Sequence, residues 1–345
     1  MNMSTDYRLA PEPAEITLVA GCDIPGYGDC SRDPDVLAAG LRALGQRVTG
    51  PLRVGGGRRS GNPYGLDWPA GPRLESARAV VVSIGSAAPV ASAVLAQTRA
   101  VPLVIVLPAD LLLPTTDLPS GYGQLLCGHL AAACLIVESE RQRAAAEKLG
   151  AAPHSVFVVS PGLDLPDLKR PSTRPPAPAP LRILYDTWAA SPAEQEFVAE
   201  VVAQLQIRCG EALDVVLVAE AAASIEAHRN SDVVVIPDSG SYATIVALRA
   251  MAAGRPLLAA GCPAIQDVVT TARHGVIARP GATVEWIDKL HYLLTGAALR
   301  AHLGRSARVK AETDFALQTT LQEFDKRLRA VASSWNYLST SRDDL

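Results

Sequence analysis

Apolar residues come in short, dense runs separated by amphipathic stretches. Runs of strand length fall at Ile16–Gly21 (ITLVAG), Ala79–Gly85 (AVVVSIG), Pro102–Pro108 (PLVIVLP), Ala133–Ser139 (ACLIVES) and Ser155–Pro161 (SVFVVSP). A strand that is apolar at consecutive positions is covered on both faces, as in a parallel sheet held between helices. Helical periodicity at Pro34–Leu44 and Glu140–Leu149 supplies such cover. The alternation restarts after residue 180, with strands predicted at Leu181–Thr187, Asp214–Glu220, Ser231–Pro237 and Arg255–Gly261. Helices are predicted at Pro192–Gln206, Tyr242–Ala253 and Val284–Leu294, and a longer amphipathic stretch from Ala307 to Val331 closes the pattern.

Between the two series lies a proline-rich run, LPDLKRPSTRPPAPAPL. Proline lacks the amide proton and fixes φ, so this run reads as a stiff extended connector. The expected organisation is a first lobe over 1–165, a hinge over 166–180, a second lobe over 181–330 and a tail over 331–345. A length of 345 residues suits two domains of about 150 residues each.

Composition narrows the function classes. With 32 Lys+Arg against 35 Asp+Glu the net charge is -3, which gives no general attraction to nucleic acid or anionic lipid. The six cysteines (Cys22, Cys30, Cys127, Cys134, Cys209, Cys262) form no CxxC pair and no His/Cys spacing suited to zinc. No metal or cofactor is expected. The start, MNMSTDYRLAPEPAE, lacks the basic segment and apolar run of a signal peptide, and no apolar stretch is long enough to span a bilayer. A cytoplasmic location is the expectation.

The stretch DSGSYATIVALRAMAAGRPLLAAG (238–261) carries the most chemistry. It reads as a turn, a helix and a strand. The free amides at the helix start, with the positive end of the helix dipole, suit a diphosphate. The candidate diphosphate contacts are Gly240, Ser241, Tyr242, Ala243 and Thr244, with Ser241 or Thr244 also able to cap the helix or offer a hydroxyl.

Three segments together resemble the retaining GT-B glycosyltransferases, the group 1 type. GYGDCSRDPDVLAAGLRALGQRVT (26–49) is similar to the family's glycine-rich loop and first helix. CLIVESERQRAAAEKLGAAPHSVFVVSPGLDL (134–165) is similar to the end of its N-terminal lobe. The stretch from Ser231 to Gly281 is similar to its donor-binding half. The resemblance implies an α/β, GT-B fold, two Rossmann-like doubly wound lobes facing across a cleft. It implies sugar transfer, with retention, from a nucleotide sugar to an unidentified acceptor. On the acceptor side it points to Gly26 and Gly28, with Arg58 and Arg59 of a basic glycine-rich loop as further candidates beside the reading of a solvated loop.

Against the family pattern, its paired glutamates align with Ser241 and Arg249. Guanidinium has no acceptor for a ribose diol, so Arg249 suits a phosphate or carboxylate, or else a surface or interlobe salt bridge. The family's basic pair falls near Trp188, and no lysine follows before Lys289. Its His-Asp pair becomes Ala109 and Asp110; Asp110 is left as the one weak catalytic candidate, beside a turn-capping role. These departures keep a second reading open: a catalytically degenerate homologue that acts as a binding module or accessory partner of another protein.

Overall fold

The computed structural model describes residues 14–21, 31–54, 79–84, 101–107, 134–148, 150–165, 180–187, 191–209, 215–220, 225–237 and 241–340. Two parallel sheets organise them. The first contains β1 (Glu15–Gly21), β2 (Arg47–Val54), β3 (Ala79–Ile84), β4 (Leu103–Val106), β5 (Cys134–Val137) and β6 (Val156–Val158), in the order β2-β1-β3-β4-β5-β6. The second contains β7 (Leu181–Asp186), β8 (Val215–Glu220), β9 (Val233–Ile236), β10 (Leu257–Ala260) and β11 (Val276–Ala278), in the order β11-β10-β9-β7-β8. This is the GT-B architecture of two Rossmann-like units.

Helices α1 (Pro34–Ala43) and α2 (Glu140–Lys148) belong to the first unit; α3 (Pro192–Cys209), α4 (Ile225–Asn230), α5 (Ser241–Ala252), α6 (Pro263–Val268), α7 (Thr283–Thr295) and α8 (Ala297–Asp314) belong to the second. The start of α1 follows from its sequence. Asp33 accepts from the Asp35 and Val36 amides, and Pro34 fills the first helical position, where a missing N–H costs nothing.

Side-chain alternation along the second sheet sorts its residues into two cores. Leu184, Val234, Ile236, Leu257 and Ala259 pack with α5 on one face; Ile183, Tyr185, Val233, Val235, Leu258 and Ala260 pack with α3 and α7 on the other. Trp286 anchors the latter core. Its ring meets Phe197 edge-on at 5.4 Å, and its indole N–H donates to the Arg279 carbonyl at 2.9 Å. Helix α5 is buried almost all round, because α8 covers its outer side through Ala307 and Ala311. There Gly304 is required: a Cβ would lie 2.1 Å from the Gly254 carbonyl oxygen.

The closing helix departs from the expectation. The amphipathic stretch is broken at Phe315 and Ala316, and α9 runs from Leu317 to Thr340, past the expected lobe boundary at 330. Its buried residues Leu321, Phe324, Leu328, Val331 and Ala332 complete the core of the first sheet, beside Ile16, Leu18, Leu37 and Val82. Where it crosses, Leu163 donates to the Phe315 carbonyl and accepts from the Leu317 amide, both at 2.8 Å. Buried Gln46 adds a polar tie, accepting from the Ala14 amide and donating to Asp325 of α9.

One titratable group sits in this frame with a shifted pKa. His274 is buried in the turn before β11 and its Nδ1 accepts the Thr270 amide at 3.2 Å. Burial, and then Lys310 and Arg273, lower its pKa below the ordinary 6.5, with Asp314 opposing. The unfolded chain therefore binds more protons than the native one in mildly acidic solution. The stability linked to this group is present above about pH 6.5 and is lost as pH falls through the folded pKa. Replacing His274 with Gln is expected to narrow the drop in Tm between pH 7 and pH 5, measured by thermal unfolding across that range. An unchanged drop would show that His274 does not contribute to it.

Candidate functional site

In the second sheet the chain winds outward in both directions from β7 and β9. The helices that follow these adjacent strands, α3 and α5, pack on opposite faces of the sheet. The carboxyl ends of β7 and β9 are thus a topological switch point, the place where open α/β sheets ordinarily bind ligands. The end of β7 and the first turn of α5 meet there.

Tyr242, Ala243 and Thr244, three of the sequence-derived diphosphate contacts, occupy the first turn of α5 with side chains buried. Ser241 is the first helical residue. The first amides of a helix lack intrahelical partners, so their N–H groups are available to a ligand. The Thr244 hydroxyl is buried and makes no hydrogen bond. Gly240, Gly26, Gly28, Arg58, Arg59 and Asp110 lie outside the described residues, as does Trp188 at the aligned basic position.

Arg249 is a buried side chain. It is 7% exposed, two helical turns beyond Tyr242 on the same side of α5, and its Nη1 lies 3.5 Å from the Tyr242 hydroxyl. That hydroxyl donates to Asp186 Oδ2 at 2.7 Å. Burial and the adjacent Asp186 carboxylate raise the Tyr242 pKa well above the ordinary phenol value, against a smaller opposing effect of Arg249. Asp186, also 7% exposed, was not singled out in the sequence. Its signal was a carboxylate ending the buried part of a strand, ILYD of LRILYD. Lys289 lies on α7, donating to the Ile277 carbonyl and pairing with Glu285. Among the described residues, no three His, Cys, Asp or Glu side chains converge on a position that would hold a metal ion.

The first lobe approaches the second through the start of α2. Ser139 and Gln142 form a reciprocal cap: the Gln142 amide donates to Ser139 Oγ, and the Glu138 amide donates to Gln142 Oε1. Ser139 Oγ also donates to Asp267 of α6 at 2.7 Å, and Arg141 pairs with the same carboxylate at 3.1 Å. Glu138 pairs with Arg32, and the neighbouring Ser31 exchanges hydrogen bonds with Gly162 at the crossing. A continuous polar chain thus runs from the residues before α1 to the second lobe.

The two parallel sheets define a GT-B fold. Residues 192–296, within the second lobe, match the family pattern "Glycosyl transferases group 1". Two D-inositol 3-phosphate glycosyltransferases are similar to it: that of Gordonia bronchialis, 29% identical over 31% of this chain, and that of an Arthrobacter species, 31% identical over 24%. The matched stretches span 24% and 20% of those relatives' own lengths. Among solved structures, Anabaena HepE in complex with UDP superposes over 92% of this chain and all of its own, with a TM-score of 0.65 at 16% identity. The sucrose-phosphate synthase of Thermosynechococcus elongatus covers 93% of this chain and all of its own, with a TM-score of 0.66 at 16% identity. No described helix is long and apolar enough to cross a membrane.

Proposed function

We propose that the chain is a retaining glycosyltransferase that moves a sugar from a nucleoside-diphosphate sugar to an acceptor held by the first lobe. One observation carries the reading: α5 begins at the switch point of the second sheet, inside the segment that matches the group 1 family. In such a transfer negative charge builds on the leaving diphosphate. Fixed donors aimed at that charge supply much of the rate. The amides of Gly240, Ser241, Tyr242, Ala243 and Thr244 are the proposed donors. Arg249 adds a positive charge within reach of a first-turn side chain.

Anabaena HepE has been captured with UDP-glucose, so uracil nucleotides are the first donor series to try. The test is a thermal-shift screen against UDP, GDP, ADP and their sugars, followed by assay of nucleoside-diphosphate release. Ligand bound to the native state at a hundred times its Kd stabilises it by about 2.7 kcal/mol, a readily measured shift. A shift with one nucleotide series, and release of its diphosphate when acceptor is present, is the expected result. Absence of any shift overturns the donor-site assignment.

A second reading, a non-catalytic homologue that binds a protein or glycan partner, is favoured by one feature. Where resembling enzymes place a carboxylate, this chain buries Arg249 against Tyr242. It predicts nucleotide binding without turnover, or no nucleotide binding at all.

A further inference from the structure

We infer that Asp186 is a positioning residue for the diphosphate end of the donor: by holding the Tyr242 hydroxyl it fixes the first turn of α5 against the end of β7. The inference rests on the donor-site reading above and assigns the part of that site nearest the sheet.

Strand geometry directs Asp186 to the right place. Leu184 points into the core that contains α5, and Asp186, two residues on, points to the same face at the last position of the strand. Tyr242 is the second residue of α5, so its backbone N–H belongs to the free first turn of the helix while its side chain turns back to the sheet. A helix start is ordinarily the least constrained part of a helix, since its amides have no partners within it. Here a charge-assisted bond of 2.7 Å between two buried side chains ties that start to a strand of the central sheet. The hydroxyl is used twice, donating to Asp186 and lying 3.5 Å from the Arg249 Nη1 donor, so its orientation is set from both sides. Burial and the neighbouring Asp186 raise the phenol's pKa, which favours the protonated form that donates this bond.

This role differs from plain structural support in what it affects. Loosening the first turn misaims the amides at the phosphates and leaves contacts to the nucleoside as they were. The test compares wild type, Tyr242→Phe, Asp186→Ala and Asp186→Asn in NMR titrations with UDP, GDP and ADP and with the free nucleosides. Tyr242→Phe and Asp186→Ala are each expected to weaken the nucleoside diphosphate by about tenfold, the effect of losing a hydrogen bond to a charged group. Affinity for the parent nucleoside is expected to stay unchanged. Asp186→Asn, whose amide oxygen still accepts from the tyrosine, is expected to recover most of the loss. Equal losses for diphosphate and nucleoside, or no loss in Tyr242→Phe, would overturn the positioning role while leaving the donor site standing. Failure of the wild type to bind any of the three nucleoside diphosphates would overturn the donor-site reading itself, and this inference with it.

Discussion

Replacing Arg249 with glutamate is expected to destabilise the second lobe severely. Arg249 is buried beside Tyr242, whose hydroxyl donates to Asp186. A glutamate would bring a second carboxylate into that cluster and remove the cation. Leaving a buried charge without its counter-charge costs about 3–5 kcal/mol, a large part of the roughly 5–15 kcal/mol by which domains are stable. Urea denaturation would show a lowered midpoint or no cooperative transition. Arg249→Met, which keeps the volume of the stem, is expected to cost less. Combined with Asp186→Asn, it is expected to cost less than the two changes summed, because both remove parts of one interaction. A stable Arg249→Glu protein with wild-type Tm would show that the buried site tolerates a second carboxylate.

The second large effect is expected at Phe324. This residue of α9 is 3% exposed in the core of the first sheet, among Leu321, Leu328 and Val331. Truncating a buried phenylalanine to alanine costs about 3–5 kcal/mol through lost transfer energy and the cavity left behind. The loss should be local. Hydrogen exchange is expected to speed up in β1 and β3 while β9 and β10, in the other cores, keep their protection. Faster exchange in β10 to the same extent would show that the two lobes unfold as one unit.

The strands were legible because runs such as Val233–Ile236 carry both their length and their two-sided burial in residue type alone. The start of α5 was legible too, since Gly and Ser precede an apolar helical run. Strand β2 was not. Gly50 and Pro51 interrupt RVTGPLRV, and the strand tolerates them because it lies at the edge of its sheet. Gly50 has φ 103°, and a Cβ there would meet the Leu18 carbonyl oxygen at 2.4 Å, so the apparent breaker is what lets β2 approach β1. The break between α8 and α9 was hidden because ETDFALQ contains no proline or glycine. What ends the helix there is tertiary, the pairing of 315–317 with Leu163. At the site, residue type led away from the answer. An arginine is ordinarily exposed, and nothing local shows that Arg249 has Tyr242 and Asp186 around it. Asp186 and Tyr242 are 56 positions apart, and only the sheet order brings them together.

The crossing of α9 onto the first sheet also orders events in time. The second lobe's cores are closed by residues no later than Phe315, whereas the first lobe's core includes Leu321 through Ala332. During synthesis, at about 5–20 residues per second, the ribosome delivers all of the second lobe before the last wall of the first. The N-terminal sheet, although made first, is finished last, and its apolar face around Ile16 and Leu18 lacks the cover of α9 until that helix emerges. Termination just after Phe315 would thus leave a chain in which the second lobe's cores are complete and the first lobe's core lacks Leu321, Phe324, Leu328, Val331 and Ala332.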